Sequence, residues 1–254
     1  MGVYDSTVLI HIYHDETLLG QATGFYFNKN NRKFVVTNKH VVKLSRKSGV
    51  FIRNIEQANK LVFFAKCSIT GEKLPIEVNL YLNGKKTWLS IDDRDGYDID
   101  VALIPLTQET MEKKSFMIFF TRTIATFFTE TSPNKNEVHH FGRLVALGFP
   151  VEFYDEKNYL PIARSVTMAS KYDVDFDGKP CFLADGIMFE GMSGSPIIDT
   201  AHTLYQKSGG GNPESVNLFG IFSSNSIYGD KYLHLNIIWR AELLNVIADY
   251  QVDV

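Results

Sequence analysis

The chain is poor in cysteine, with only two in 254 residues. A secreted β-rich domain of this length is usually stapled by several disulfides. Cys67 and Cys181 are far apart in sequence and are expected to be buried apolar fillers. The opening "MGVYDSTVLIHIYHDE" has no basic start leading into a long apolar region, so no secretory signal is expected. Unbroken apolar runs are also lacking. The stretch "SFMIFFTRTIATFF" is interrupted by Arg122 and by hydroxyl residues, too often for a bilayer span. Charge of one sign is not in excess either. A net charge of −3 gives neither nucleic acid nor a membrane surface a strong hold. "MGVYDS" fits a myristoylation pattern through Gly2 and Ser6, but no polybasic second anchor follows, so a plain chain start is the simpler reading. Together these absences point to a cytoplasmic protein with no nucleic-acid or membrane partner.

What is present leans towards β structure. The chain holds 19 Phe and 12 Tyr, and 44% of it is hydrophobic. Short strand-like runs recur, among them "TVLIHIY", "ATGFYFN", "KFVVTN", "DVALIPL", "RLVALGFP" and "VNLFGIFSS". Turn signals such as "LNGKK" and "DFDGKP" separate them. About a dozen strands with few helices predict a sandwich or barrels, and a chain of this length suits two barrels better than one. "WRAELLNVIADYQ" places Leu243, Val246, Ile247 and Tyr250 at helical spacing, which predicts a C-terminal amphipathic helix on the last barrel. Residues 129–140 are polar and read as the connection between halves or a long surface loop. Residues 207–215, "KSGGGNPES", read as a hairpin loop.

The stretch "FEGMSGSPII", residues 189–198, carries the chemistry. Gly191 and Gly194 flank Ser193 and permit a sharp bend that would hold the serine exposed. A serine hydroxyl is a weak nucleophile until a histidine can take its proton. Of the seven histidines, His40 in "KFVVTNKHVV" is the most suggestive. It follows an apolar strand at the start of what reads as a single helical turn. His11, His14, His139, His140, His202 and His234 read as structural or surface residues. The histidine would need an orienting carboxylate, and "GYDIDVALIPL" offers Asp98 and Asp100 before an apolar strand.

These three stretches together resemble the trypsin-like (chymotrypsin-fold) serine peptidases, most closely the disulfide-free branch that includes HtrA-like peptidases. The family's Thr-Asn-x-His-Val is matched by "VVTNKHVV", its Asp-(Ile/Val)-Ala-Leu by "DVAL" and its Gly-x-Ser-Gly-(Gly/Ser)-Pro by "GMSGSP". "ATGFYF", "ALGFP" and "LFGIFSSNS" resemble flanking strands, and the likeness covers about residues 8 to 247. It implies an all-β fold of two antiparallel six-stranded β-barrels with a C-terminal α-helix. Residues 1–128 would carry the histidine and aspartate, and residues 129–254 the serine. It selects Asp100 over Asp98, making His40, Asp100 and Ser193 the catalytic residues. Gly191 and Ser193 would supply oxyanion-hole N–H groups, and Ile187, Ser223, Ser224 and Asn225 would bind substrate. The implied partner is a polypeptide substrate, with no cofactor and no metal.

Departures from the family pattern narrow this. Met192 stands where the zymogen-activated branch has an aspartate that binds a freed N-terminus, so activation by clipping is not expected. The enzyme would be constitutive, or switched by something else such as an activating protein partner. Ile187 stands where trypsin has its basic-selecting aspartate, which implies a neutral and narrow pocket. No sequence resembling a PDZ domain follows. "DVDFDG", residues 173–178, fits half a calcium loop but lacks the acid at its end, since Ala184 falls there; a tight Asp-Gly hairpin turn explains it better. His11 and His14 would face opposite sides of a strand and share no metal. A protease-fold binding module without hydrolytic activity is the alternative to a peptidase.

Overall fold

Each half of the chain rolls β-strands round its own apolar core, and a third cluster joins the two. The computed structural model describes residues 3–48, 54–67, 70–91, 98–122, 128, 142–151, 153–199, 217–228 and 231–249. Gly2, Tyr250, His139, His140, His202, the connection read at 129–140 and the loop read at 207–215 lie outside these residues.

In the first half a six-stranded sheet forms from β1 (Thr7–His14), β2 (Thr17–Lys29), β3 (Arg32–Thr37), β6 (Lys60–Lys66), β7 (Lys73–Asn79) and β10 (Ala102–Pro105). Its order is β10-β3-β2-β1-β6-β7. The small ribbons β4 (Ser45–Ser48) with β5 (Asn54–Gln57), and β8 (Tyr81–Leu82) with β9 (Lys85–Lys86), stand apart from it. Period-two alternation is clearest in β6, where Leu61, Phe63 and Ala65 point inward. In β2 the run Phe25-Tyr26-Phe27 is buried throughout, because both faces of the sheet are covered. Tyr26 enters the inner core, while Phe25 and Phe27 face the second half.

A closed first barrel was expected, and among the described residues this sheet stays open between β7 and β10. Each of these edge strands contains a proline, Pro75 and Pro105, which has no N–H to give a ladder. The seam is covered instead by a bridge from Val78 to Met111 and by α2 (Lys113–Arg122) packed on β7. The apolar run "SFMIFF" is therefore a helix on the sheet seam. No helix among the described residues is long and apolar enough to cross a membrane.

The second half is a closed six-stranded barrel. Its strands are β11 (Arg143–Gly148), β12 (Ile162–Met168), β13 (Cys181–Asp185), β14 (Pro196–Asp199), β15 (Asn217–Tyr228) and β16 (Lys231–Arg240). Asp177 and Gly178 both have positive φ (53° and 72°) between the bridged Phe176 and Lys179, so "DFDGKP" is the expected tight hairpin turn. We propose the division between halves at 128/129, since the sheet strands all precede it and the barrel strands all follow it.

The C-terminal helix α3 (Leu243–Asp249) is where its spacing predicted and packs on the last barrel as expected. Leu243, Leu244, Ile247 and Ala248 also reach the sheet, entering the cluster between the halves with Phe27, Phe34 and Leu103 from the sheet and Leu218, Ile221 and Trp239 from the barrel. Lys29 Nζ and Arg32 Nη1 of the sheet donate to its carbonyls at Asn245 (2.9 Å) and Ala248 (2.6 Å). Cations at these last carbonyls complement the helix dipole.

Candidate active site

His40 is the second residue of α1 (Lys39–Val42), a single turn after β3. Val41 and Val42 are buried in the sheet core, which anchors the turn. Asp100 immediately precedes the segment leading into β10, and β10 pairs with β3 through Ala102 opposite Thr37. The pairing brings the two chain segments side by side, and Asn38 Nδ2 bonds the Asp100 carbonyl (2.8 Å). The Asp100 carboxylate accepts from the His40 backbone N–H at Oδ1 (2.8 Å), from His40 Nδ1 at Oδ2 (2.7 Å) and from Ser223 Oγ at Oδ2 (2.6 Å). A carboxylate only accepts, so Nδ1 carries the proton and Nε2 presents a lone pair. Asp98 behaves differently. Its side chain is 78% exposed and pairs with Lys39 Nζ at 2.6 Å.

The serine loop joins β13 to β14. Gly191 and Gly194 have φ of +86° and +88°, which an L side chain resists. A Cβ on Gly191 would lie 2.5 Å from the Phe149 carbonyl oxygen, and one on Gly194 would lie 2.1 Å from the Thr23 carbonyl oxygen. Met192 is fully buried in the barrel core. The Glu190 carbonyl accepts from the Val151 N–H at 2.9 Å. Peptide groups are trans, so the Gly191 N–H points the opposite way. Among the described residues, neither the Gly191 N–H nor the Ser193 N–H has an acceptor. Ser193 Oγ donates to the Ser223 carbonyl over a long 3.4 Å and, among the described residues, makes no hydrogen bond to His40. Both side chains line one cavity of about 470 Å³, together with Phe189, Glu190, Phe222, Ser223 and Ser224. A second cavity of about 490 Å³ lies against His40 and Asp100, bounded also by Lys39, Lys43, Leu44 and Asp98.

Of the expected substrate-binding residues, Ser223 and Ser224 line the first cavity. Ile187 does not, and its side chain is 49% exposed. Arg164 Nε donates to the Ile187 carbonyl (2.7 Å), and its guanidinium lies 4.7 Å over the Phe189 ring. Residues 187–189 are in no strand, so strict alternation does not govern them; Met188 turns into the core and Phe189 faces the cavity. Asn225 is one step beyond Ser224 on β15, in register with Asn236; its side chain lies outside those the structure describes. Phe189, Glu190, Phe222 and the buried Thr23 are site neighbours that sequence reasoning missed.

The remaining histidine expectations concern structure. His14 Nδ1 bonds the Gln57 carbonyl (2.7 Å), and His11 meets the Phe64 ring edge-on at 5.7 Å. Burial lowers the His11 pKa. Asp175 of the "DVDFDG" stretch pairs with Arg240.

The open sheet and closed barrel with this site at their seam define the chymotrypsin-like fold. The Trypsin-like peptidase domain family matches residues 22–205, most of the chain, which therefore belongs to that family and is a serine endopeptidase. No curated protein matches it in sequence. Among solved structures it is similar to the active form of the Rv3671c protease from M. tuberculosis (15% identity, TM-score 0.52, covering 99% of this chain and 84% of that one). It is similar to a serine endoprotease from Yersinia pestis at 13% identity and TM-score 0.52, with coverage of 97% and 62%. An HtrA-type protease, AlgW with a tripeptide, shares 12% identity at TM-score 0.52, with coverage of 96% and 60%. The chain spans about three fifths of the length of the last two.

Proposed function

We propose that the chain hydrolyses peptide bonds through His40, Asp100 and Ser193. The observation that carries this reading is the network in which Asp100 binds the His40 N–H and Nδ1 at 2.8 and 2.7 Å, leaving Nε2 as a base beside a cavity it shares with Ser193. Ser193 Oγ attacks the scissile carbonyl carbon as its proton passes to Nε2. The carbonyl π pair moves onto oxygen, which takes hydrogen bonds from the idle N–H groups of Gly191 and Ser193. Collapse breaks the C–N bond, and the amine leaves with the proton from Nε2. Water then attacks the ester, gives its proton to Nε2, and Ser193 recovers it. Asp100 stays ionised and stabilises the imidazolium.

Ser193 has one adjustment to make. Its hydroxyl must leave the Ser223 carbonyl, a long bond of 3.4 Å, and turn to Nε2 by rotation about one staggered torsion. The substrate polypeptide adds as a strand along residues 223–225 of β15, where Ser224 and Asn225 pair with β16 on one side, Ser223 is a bulge, and all three lie past the last β14 pair, Pro196 with Ile221. We place the enzyme in the cytoplasm, because Cys67 and Cys181 are both buried thiols outside any disulfide. Narrow or gated activity would protect its host. Since Met192 is a core residue, a freed N-terminus has no carboxylate to pair with there, and a switch would be something else, such as an activating protein partner.

A fluorophosphonate probe tests the reading. Ser193→Ala or His40→Ala should each remove nearly all labelling and turnover, on the order of 10⁶-fold. Labelling that survives Ser193→Ala would refute the nucleophile. The turn of Ser193 Oγ towards Ser223 favours a second reading, a peptidase at rest in which the hydroxyl waits to be turned to Nε2. Folded protein that no fluorophosphonate labels would decide against both and for a binding module.

A further inference from the structure

We propose that Thr23 is a positioning residue that holds the nucleophile loop in its oxyanion-binding path through its side-chain hydroxyl. This rests on the peptidase reading above. Thr23 is in β2, on the opposite half of the molecule from Ser193, and is fully buried. Its hydroxyl donates to the Gly191 carbonyl at 2.8 Å and accepts from the Phe149 N–H at 2.9 Å. The directions are settled, since a carbonyl only accepts and an amide N–H only donates. Its own N–H donates to the Ser193 carbonyl at 2.9 Å. Its carbonyl accepts from Thr37 Oγ1 at 2.9 Å.

These bonds act on the two peptide planes that flank Gly191. The plane before it is tied by the Glu190 carbonyl to the Val151 N–H. The plane after it is tied by the Gly191 carbonyl to the Thr23 hydroxyl. A glycine at φ +86° has little steric reason to stay there, so the first bond sets the direction of its N–H and the second holds the neighbouring plane against which the glycine would swivel. The same hydroxyl holds Phe149, whose carbonyl oxygen would meet a Gly191 Cβ at 2.5 Å. Thr23 thus fixes both the loop and the wall behind it. Without the hydroxyl, a buried carbonyl and a buried N–H lose their partner and the loop is free to turn.

The test compares Thr23→Val, Thr23→Ala and Thr23→Ser with the parent by the kinetics of fluorophosphonate labelling, with circular dichroism to show that each is folded. Attack on the phosphorus also develops charge on an oxygen in the same hole. Deleting an oxyanion donor costs about 10²–10³-fold. Here the donor is misdirected rather than deleted, so Thr23→Val should slow the maximal labelling rate by about 10–100-fold, with half-saturating probe concentration within about threefold of the parent. Thr23→Ser keeps the hydroxyl and should label within about threefold of the parent. If Thr23→Val does not fold, the ratio of Thr23→Ser to Thr23→Ala carries the test. Equal rates for those two, a folded Thr23→Val at the parent rate, or a loss confined to half-saturation would each overturn the positioning role. A folded parent that no probe labels would instead overturn the peptidase reading, and this role with it.

Discussion

Gly191→Ala separates the cost of backbone strain from the cost of a misplaced oxyanion donor. The φ of +86° disfavours an L residue by about 1–2 kcal/mol wherever it occurs. At Gly191 a second effect adds to this. The new Cβ would sit 2.5 Å from the Phe149 carbonyl oxygen and 2.9 Å from the Val151 nitrogen, both backbone atoms at the exit of a barrel strand. Neither atom can rotate aside, so the loop must retreat by roughly 1 Å to reach ordinary contact. That retreat carries the Gly191 N–H with it, and a misplacement of that size costs about 10²-fold in rate, near the effect of losing the donor, about 2.7–4 kcal/mol. Gly84→Ala is the control: φ there is +77°, and a Cβ would meet nothing within 4 Å. Urea unfolding should show both variants destabilised by about 1–2 kcal/mol, with Gly191→Ala the worse. Fluorophosphonate labelling should fall about 10²-fold or more in Gly191→Ala and stay at the parent rate in Gly84→Ala. A Gly191→Ala protein that labels within threefold of the parent would refute the reasoning, because its N–H would not be in use.

Two further predictions concern particular side chains. Asp100→Asn should lower turnover by about 10⁴-fold, since an amide can favour the wrong imidazole tautomer. Asp98→Asn should leave turnover near the parent level and cost some stability, because the Lys39 ammonium it faces is buried; the reverse ranking of turnover would show that Asp98 is the orienting acid. Burial pushes the Cys181 thiol up to about 11. At pH 8 only about one molecule in a thousand would hold a thiolate, so iodoacetamide should alkylate Cys181 slowly in folded protein and rapidly in urea. Fast alkylation of the native protein would show that the barrel opens at that strand.

Local chemistry was legible in the sequence wherever it is written over a few adjacent residues. "KFVVTNKHVV" announces a strand followed by a turn, "DFDGKP" a two-residue hairpin turn, and "GMSGSP" a bend around a serine. The choice of Asp100 over Asp98 needed the family resemblance, because either carboxylate could be written before that strand. The geometry gives each a separate partner, His40 for one and Lys39 for the other. What escaped was what depends on chain segments meeting across the molecule. Phe189 was missed because counting back from Ser193 assumes a regular backbone, and residues 187–189 have none. Thr23 looks like any strand threonine until β2 is set against the serine loop 168 residues later. The open seam of the first sheet lies between edges that bond instead to Leu89 and to residues 110–112, and the sequence does not reveal those pairings.

The site belongs to neither half alone. The sheet supplies His40, Asp100 and Thr23, while the barrel supplies Ser193, Gly191 and the Ser223 hydroxyl that completes the Asp100 shell. The cluster that includes Phe25, Leu147 and α3 clamps these surfaces together. Both peptide planes at Gly191 are already tied, one to Val151 and one to Thr23, so the oxyanion backbone has little left to order. On the peptidase reading, the Ser193 hydroxyl has only to leave one long bond of 3.4 Å among the described residues before it turns to Nε2. On the peptidase reading, a partner that controls this enzyme would therefore act on access to the cavity and to the β15 edge. A switch built on flipping the Glu190–Gly191 peptide would first have to break the well-formed bond from the Val151 N–H to the Glu190 carbonyl, while Thr23 holds the next plane, on which that flip hinges.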